Sequence, residues 1–390
     1  MGNPRTKADN SKLVRFNPAE GGTTRNSKLF QNVYVVIMAG GKGERFWPLS
    51  TESVPKPFLK IVGDKTLIQL TVERASKVVP LERVFVVLGQ QHLDTAQKQL
   101  EILPDENFII EPEGRDTAPC IGYSALYVLK QDKKAVMVIL PADQFIPDAD
   151  NFAKTISVAI EFAKTGDYLV TVGIKPVRPE TGYGYINTLE PLKTIEDNVC
   201  YRVSRYVEKP DIETAKKYIH EGNYYWNGGI FIWHAKAVIA GIKRHMPELY
   251  KGLMNLKDAM ASKDSGKIAG IYKNLQRKSI DYGLMEKADN VLMVPAQFNW
   301  DDVGAWSSLL RVLKLDENGN YVKGNAISID TKDCVISGED VIVGTIGVSN
   351  LVIVVSKEGI LVCNADRAQE VREIVKRLNV ESTKNAKDTS

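Results

Sequence analysis

Cysteine and histidine are scarce in this chain, and neither is clustered. Its four cysteines (Cys120, Cys200, Cys334 and Cys363) lie far apart with no Cys-x-x-Cys pair. The spacing therefore suits neither a zinc site nor a disulfide framework, and free buried thiols in a reducing compartment are expected. The four histidines (His92, His220, His234 and His245) belong to no recognisable triad, and His234, directly after an apolar run, reads as structural. Long apolar runs are missing too. The most apolar late stretch, residues 341–355, is interrupted by Gly, Thr, Ser and Asn and is shorter than the ~20 residues that span a bilayer. The first thirty residues hold no continuous apolar core, so no signal peptide is expected. Nor is one sign of charge in excess: 51 Lys and Arg stand against 48 Asp and Glu, a net charge of +3. A nucleic-acid or membrane-surface footprint needs a clustered basic excess. The expectation is a soluble, cytoplasmic protein that holds any anionic ligand in a local site.

What is present is ordinary globular material. The 390 residues are 44% hydrophobic and 25% charged, enough chain for two or three folding units with a sizeable core. Residues 1–31 carry six basic and two acidic residues with little periodicity. They read as a mobile tail, with Leu13, Val14 and Phe16 available to pack on the body. Residues 33–39 (VYVVIMA) form a continuous β-branched run that predicts a buried strand, and 84–88, 136–140 and 169–172 are similar. Helical patterns at 66–78, 93–100 and 118–129 separate the early strands, which argues for a parallel sheet covered on both faces. Beyond residue 173 the pattern loosens, with strands near 201–207 and 229–233 and helices at 213–220 and 236–244. From 321 to 362, short β-rich runs at roughly ten-residue spacing predict a small all-β appendage. A closing helix at 366–378 and a frayed last dozen residues complete the pattern. The expected organisation is a tail (1–31), a catalytic domain (32–315) and a β-rich domain (320–380). The β-rich end is free to pack on its own catalytic domain or on a second subunit, as in a homodimer.

The strongest local signal is AGGKGERFWPLS at 39–50, directly after the first strand, followed by PKPFL at 55–59. Gly40, Gly41 and Gly43 let the backbone take up positive φ and approach a ligand, and successive amides at a strand end make a concave anion site. Arg45 and Lys56 add a planar fork and a point charge suited to phosphate oxygens. The loop is neither a Walker loop nor a dinucleotide fingerprint, which moves kinases, ATPases and dehydrogenases out of the front rank.

Two carboxylates are candidates for a metal. Asp143 ends the strand at 136–140 and so sits where open α/β sheets bind ligands. Beside a triphosphate it suits Mg²⁺, though it also suits a turn cap. In FNWDDVGAW (298–306), Asp301 and Asp302 precede a predicted helix, where one of them is also a candidate N-cap. The scarcity of histidine fits a reaction whose nucleophile is a phosphate, already anionic near neutral pH with a second pKa of ~6. Such a reaction requires no general base and depends on positioning and charge neutralisation.

Taken with EPEGRDTAP (111–119), PADQ (141–144), ETGYGYI (180–186), VEKP (207–210), WNGGIF (226–231), SIDYGLMEK (279–287) and WDDVGAW (300–306), these motifs resemble the sugar-phosphate nucleotidyltransferases. In this order they are similar to bacterial-type mannose-1-phosphate guanylyltransferases over about residues 33–362. The resemblance implies an α/β fold: a Rossmann-like nucleotidyltransferase domain with a mixed, mostly parallel central sheet, plus a small C-terminal β-rich domain. It implies that GTP and mannose 1-phosphate give GDP-mannose and pyrophosphate with Mg²⁺, by in-line attack and without a covalent enzyme intermediate. It further implies that Gly40, Gly41 and Gly43 cradle the nucleotide and that Arg45 holds the β and γ phosphates. Lys56 would bridge the α-phosphate and the sugar phosphate. Glu111, Pro112 and Thr117 would lie against guanine, and Asp143 and Asp302 would ligate Mg²⁺. Gly184, Glu208 and Asn227 would contact mannose and Lys209 its phosphate, whereas Asp281 and Glu286 are weaker candidates.

The chain departs from that pattern in two places. Gln144 stands where His is common, and Asp116 stands where Asn is common, adding negative charge near the base. No C-terminal isomerase domain, and so no isomerase activity, is expected. Two other readings remain: a nucleotidyltransferase for another base or sugar, and a catalytically silent nucleotide-sugar sensor.

Overall fold

A computed structural model describes residues 29–388 except 42, 196 and 197. The expected tail, with Leu13, Val14 and Phe16, lies outside the described residues up to residue 28. Leu29 and Phe30 already pack against the core, and Lys164 Nζ donates to Gln31 O at 2.9 Å.

Nine strands form the main sheet: β1 (Val33–Met38), β2 (Val84–Gly89), β3 (Phe108–Glu111), β4 (Val136–Pro141), β5 (Leu169–Ile174), β6 (Gly184–Ile195), β7 (Asn198–Glu208), β8 (Tyr224–His234) and β9 (Val291–Pro295). Their order is β3-β2-β1-β4-β8-β5-β9-β7-β6. β1 pairs in parallel with β2 and β4, while β8 runs antiparallel to β4 and β5, so the sheet is mixed. Every residue of β5 is buried, as its uninterrupted apolar run requires. The chain steps outward from β1 to β2 and β3, then crosses back to place β4 on the other side of β1. The crevice above the C-terminal ends of β1 and β4 is therefore the topological switch point.

Helices cover both faces: α1 (Leu67–Ser76), α2 (Leu93–Gln99), α3 (Thr117–Gln131), α4 (Ala149–Ala163), α5 (Ile212–Glu221), α6 (Ala235–His245), α7 (Pro247–Ala261) and α8 (Ser265–Lys273). One core joins α1 and α4 to the sheet through Ile68, Val72, Phe152 and Ile156. The other joins α3, α6 and α7 through Ile121, Val238 and Leu253. Thr66 begins α1 with a reciprocal cap, its hydroxyl accepting from Gln69 N and the Gln69 side chain from Thr66 N. Among the described residues no helix is long and apolar enough to cross a membrane.

After the one-turn helix α9 (Leu309–Val312), a second sheet follows: β10 (Tyr321–Ile329), β11 (Val335–Ile346), β12 (Leu351–Ser356) and β13 (Gly359–Asn364). β10, β11 and β12 stack in parallel, and β13 turns back against β12. The runs CVISG and DVIVG, read as separate strands, lie in the single strand β11, which absorbs a register shift opposite Gly324 and Ala326. The last dozen residues differ from the frayed end expected, because α10 (Val371–Asp388) carries the helix almost to the terminus. The small sheet packs on its own chain. Val335, Val352, Val354, Leu361 and Val371 share one core with Phe46, Ile61, Trp306 and Leu309.

Candidate active site

The phosphate loop leaves β1 at the switch point and turns through Gly43, whose φ is 62°. A Cβ there would lie 2.5 Å from Lys56 Cβ, so only glycine lets this turn and the Lys56 segment approach. Lys56, 6% exposed, is aimed into the crevice. Its Nζ donates to Asp143 Oδ2 at 2.9 Å and to the backbone oxygen of Asp302 at 2.6 Å. The two carboxylate residues, far apart in sequence, thus meet on one ammonium group. Arg45 lies close by, with Nη1 donating to Gly304 O at 3.2 Å.

The two adjacent aspartates have opposite duties, and neither is an N-cap. Asp301 is buried, accepts from Val303 N at 2.8 Å and pairs with Arg311 at 3.1 Å. Asp302 faces the crevice, where Tyr183 Oη donates to its Oδ1 at 2.5 Å. Burial pushes the Asp302 carboxyl upward, opposed by Tyr183 and Lys56 and reinforced by the charges of Asp301 and Asp143. Burial, helped by the Asp302 charge, raises the Tyr183 phenol, so it remains a donor. Val303, buried and β-branched, is held at φ 45°. A left-handed β-branched residue is costly, by about 1–3 kcal/mol, and such strain collects where side-chain direction is functional.

Asp143 and Asp302 offer hard oxygen ligands beside each other, with no thiol or imidazole between them. That donor set fits Mg²⁺, which takes one or two carboxylates plus phosphate oxygens and water. Among the described residues no group of three or more His, Cys, Asp or Glu is arranged for a metal.

On one side of Lys56 a cleft of about 900 Å³ runs past Gly40, Gly41, Glu111, Arg115, Thr117 and Arg277. Glu111, at the end of β3, accepts from the Tyr272 hydroxyl, and burial raises its carboxyl. Pro112 is exposed beside the cleft. Asp116 adopts φ 70° and caps α3, its carboxylate accepting from Thr117 N at 2.7 Å. The extra charge at this position is therefore spent on a helix N-terminus, where it is favourable. Thr117 Oγ1 accepts from Ile280 N at 2.8 Å, and Ala118 N donates to Lys278 O at 3.1 Å. His92 also lines the cleft, its pKa lowered by burial.

On the other side lie the residues expected at the sugar. Gly184 and Glu208 face each other across β6 and β7. A Cβ on Gly184 would sit 2.4 Å from Glu208 Oε2, so this glycine makes room for a carboxylate. Glu208 pairs with Lys209 through its other oxygen. Asn227 donates through Nδ2 to Asp281 Oδ1 at 3.0 Å and accepts from Gly229 N, also at 3.0 Å. Gln144 donates to Gly228 O at 2.7 Å, tying the end of β4 to this turn.

Sequence reasoning named Lys56, Asp143 and Asp302, which the structure brings together, and Glu208, Lys209 and Asn227, which it groups nearby. It did not single out Tyr183, Tyr206, Tyr272 or Arg277. Tyr183 had a signal, since it stands inside ETGYGYI. Tyr272 had none, because its partner Glu111 lies 161 residues away.

Residues 34–319 match the nucleotidyl transferase family, and residues 324–378 match the MannoseP isomerase/GMP-like beta-helix domain. The chain belongs to the nucleotidyl transferase family. A mannose-1-phosphate guanylyltransferase of Salmonella montevideo is 37% identical over 89% of this chain and 74% of its own length. One from Klebsiella pneumoniae is 38% identical over 88% of this chain and 73% of its own. A solved structure from Thermus thermophilus, described as a mannose-1-phosphate geranyltransferase, superposes with a TM-score of 0.81 at 36% identity. That match covers 89% of this chain and 99% of the other. In this nucleotidyl transferase the parallel stack of β10 to β12 falls in the matched beta-helix segment.

Proposed function

We infer that this nucleotidyl transferase moves GMP from GTP to α-D-mannose 1-phosphate, giving GDP-mannose and pyrophosphate. The observation that carries the chemistry is Lys56, buried between Asp143 and Asp302 with a base cleft on one side and Glu208 and Asn227 on the other. The choice of base and sugar rests on the similarity to guanylyltransferases along nearly nine-tenths of the chain.

Gly40, Gly41 and Gly43 offer the loop that receives the triphosphate, with Arg45 on the β and γ phosphates. Glu111, Pro112 and Thr117 bound the guanine. Glu208, Asn227 and Gly184 receive mannose, with Lys209 on its phosphate. Lys56 holds the α-phosphate and the sugar phosphate together, neutralising the charge that otherwise keeps two anions apart. A sugar-phosphate oxygen attacks the α-phosphorus in line. A new P–O bond forms as the bond to the β-phosphate oxygen breaks, and pyrophosphate leaves with that electron pair. No side chain takes a proton from the nucleophile, because the phosphate is already ionised. Nucleotidyl transferases are generally divalent-metal dependent. Asp143 and Asp302 would hold Mg²⁺, which supplies charge neutralisation at the α-phosphate when bound.

The test is product analysis with GTP chirally labelled at the α-phosphorus. Formation of GDP-mannose with inverted configuration is expected. Retention would require a covalent intermediate, and a product formed better from UTP, dTTP or ATP would overturn the choice of base.

A further inference from the structure

Three helices leave a groove that the reaction described above does not use. It lies between the C-terminal half of α3, the start of α6 and the body of α7, with a volume of about 530 Å³. α3 has 15 residues, so Thr117 at the base cleft and Lys130 at the groove are roughly 20 Å apart. The floor of the groove is apolar. Ile239, Tyr250, Met254 and Met260 pack on the core beneath with only part of their surface covered.

The rim has the opposite character. Lys130, Lys133, Lys236 and Lys257 line the same groove, and no Asp or Glu does. All four are exposed, and among the described residues none is ion-paired. A fifth cation, Lys243, stands with Nζ 5.6 Å from the centre of the Tyr250 ring. Asp132 and Asp258, the acids beside these lysines in sequence, are not part of the lining. The Asp132 carboxylate instead accepts from Asn32 and from Lys134 N. Helix electrostatics accounts for Lys130, in the last turn of α3, where a cation meets the negative end of the dipole. It does not account for Lys236, in the first turn of α6, where the dipole is positive and no acidic residue offsets it. Like charges gathered round half-covered apolar side chains cost the free protein stability, and they complement an anion with an apolar body.

We propose that this groove binds a free amphiphile with one anionic head, a carboxylate or a phosphate monoester, on an alkyl chain. The chain lies on Ile239, Tyr250, Met254 and Met260, and the lysines hold the head. Methionine, unbranched and polarisable, moulds to a flexible chain, and an ammonium group is a point charge that accepts either head. The volume falls within the ~300–1,000 Å³ of small-molecule sites. A single molecule fits better than a membrane surface, because bilayer contact needs apolar side chains that project, and these are half-buried. The site is independent of the guanylyl-transfer reading.

Calorimetric titration of the full-length protein with decyl phosphate, kept below its critical micelle concentration, tests this. One molecule should bind per chain, and shortening the probe to octyl and hexyl phosphate should weaken binding about two- to fourfold per methylene. Decyltrimethylammonium should not bind. Lys130→Glu with Lys257→Glu should weaken decyl phosphate about 10-fold or more while melting within a few degrees of wild type. Should that pair fail to fold, Lys133→Glu with Lys236→Glu serves in its place. Lys56→Met should bind decyl phosphate as wild type does, which separates the groove from the phosphate loop. No binding, equal binding of the decyl cation or of inorganic phosphate, full affinity after charge reversal, or loss of binding in Lys56→Met would each overturn the proposal. Binding to phosphatidylglycerol vesicles without binding of monomeric decyl phosphate would overturn it in favour of a membrane contact.

Discussion

At the residue scale the site is a set of charges placed where folding alone would not put them. Asp143 and Asp302 share Lys56, and the test of their role is loss of rate without loss of structure. Asp143→Asn and Asp302→Asn should each lower turnover by about 100-fold or more while melting within a few degrees of wild type. Near-wild-type rates at limiting Mg²⁺ would remove both from the metal site. Lys56→Met should lower kcat more than it raises KM for GTP, since its interactions strengthen as the two phosphates join. Asp281 makes a thermodynamic prediction. Burial and the charge on Glu208 raise its carboxyl to about 6, so between about pH 4 and 6 the folded state holds a proton that the unfolded state has released. Stability therefore falls as pH rises through that window, and the full penalty is present above it. The groups facing the carboxyl are Glu208 of like charge, Lys209 of opposite charge, and two donors, the Tyr206 hydroxyl and the Asn227 amide. Asp281→Asn should be more stable than wild type at about pH 8 by about 1–3 kcal/mol, with the gain vanishing near about pH 4. Denaturant melts at the two pH values measure it, and a gain equal at both would contradict the linkage.

At the element scale the loop after β1 is held from two directions. Gly43 lets Lys56 approach from one side. From the other, Trp306 Nε1 donates to Trp47 O at 3.0 Å and Ser356 Oγ to Pro48 O at 3.2 Å, so β12 braces the loop. Gly43→Ala places a methyl on Lys56 in a backbone region that disfavours it. It should lower the melting temperature and raise KM for GTP, and an unchanged KM would mean that the loop does not depend on this approach. The first half of the fold was legible because β1, β2, β4 and β5 are buried on both faces, and an uninterrupted β-branched run has no other stable use. Strands β6 and β7 were harder, because β6 is buried only near its start and exposed from residue 189 to 194, so no single period runs through it. The reversed direction of β8 left no trace in composition, since strand polarity is set by connections. In the site, glycines, Lys56 and the strand-end Asp143 carried local signals. The Asp301 and Asp302 pair did not sort itself, because only Arg311 and Tyr183, from distant segments, decide which carboxylate faces inward.

At the scale of the whole molecule the two sheets are one cooperative unit. Val335, Val352 and Leu361 from the small sheet bury against Phe46, Ile61 and Trp306 around the phosphate loop. Calorimetry should therefore show a single unfolding transition, and two resolved transitions would mean that the small sheet only rests on its neighbour. The same packing places the glycine loop, the cleft beside Glu111 and the Glu208 and Asn227 group around the switch point of one sheet, and the proposed reaction aligns two phosphates across Lys56. The most direct measurement is pyrophosphate release with Mg²⁺ and GTP, with and without mannose 1-phosphate, against UTP, dTTP and ATP. Release that needs both GTP and mannose 1-phosphate is the predicted result. Release with GTP alone, or none with any nucleotide and sugar phosphate, would contradict the account.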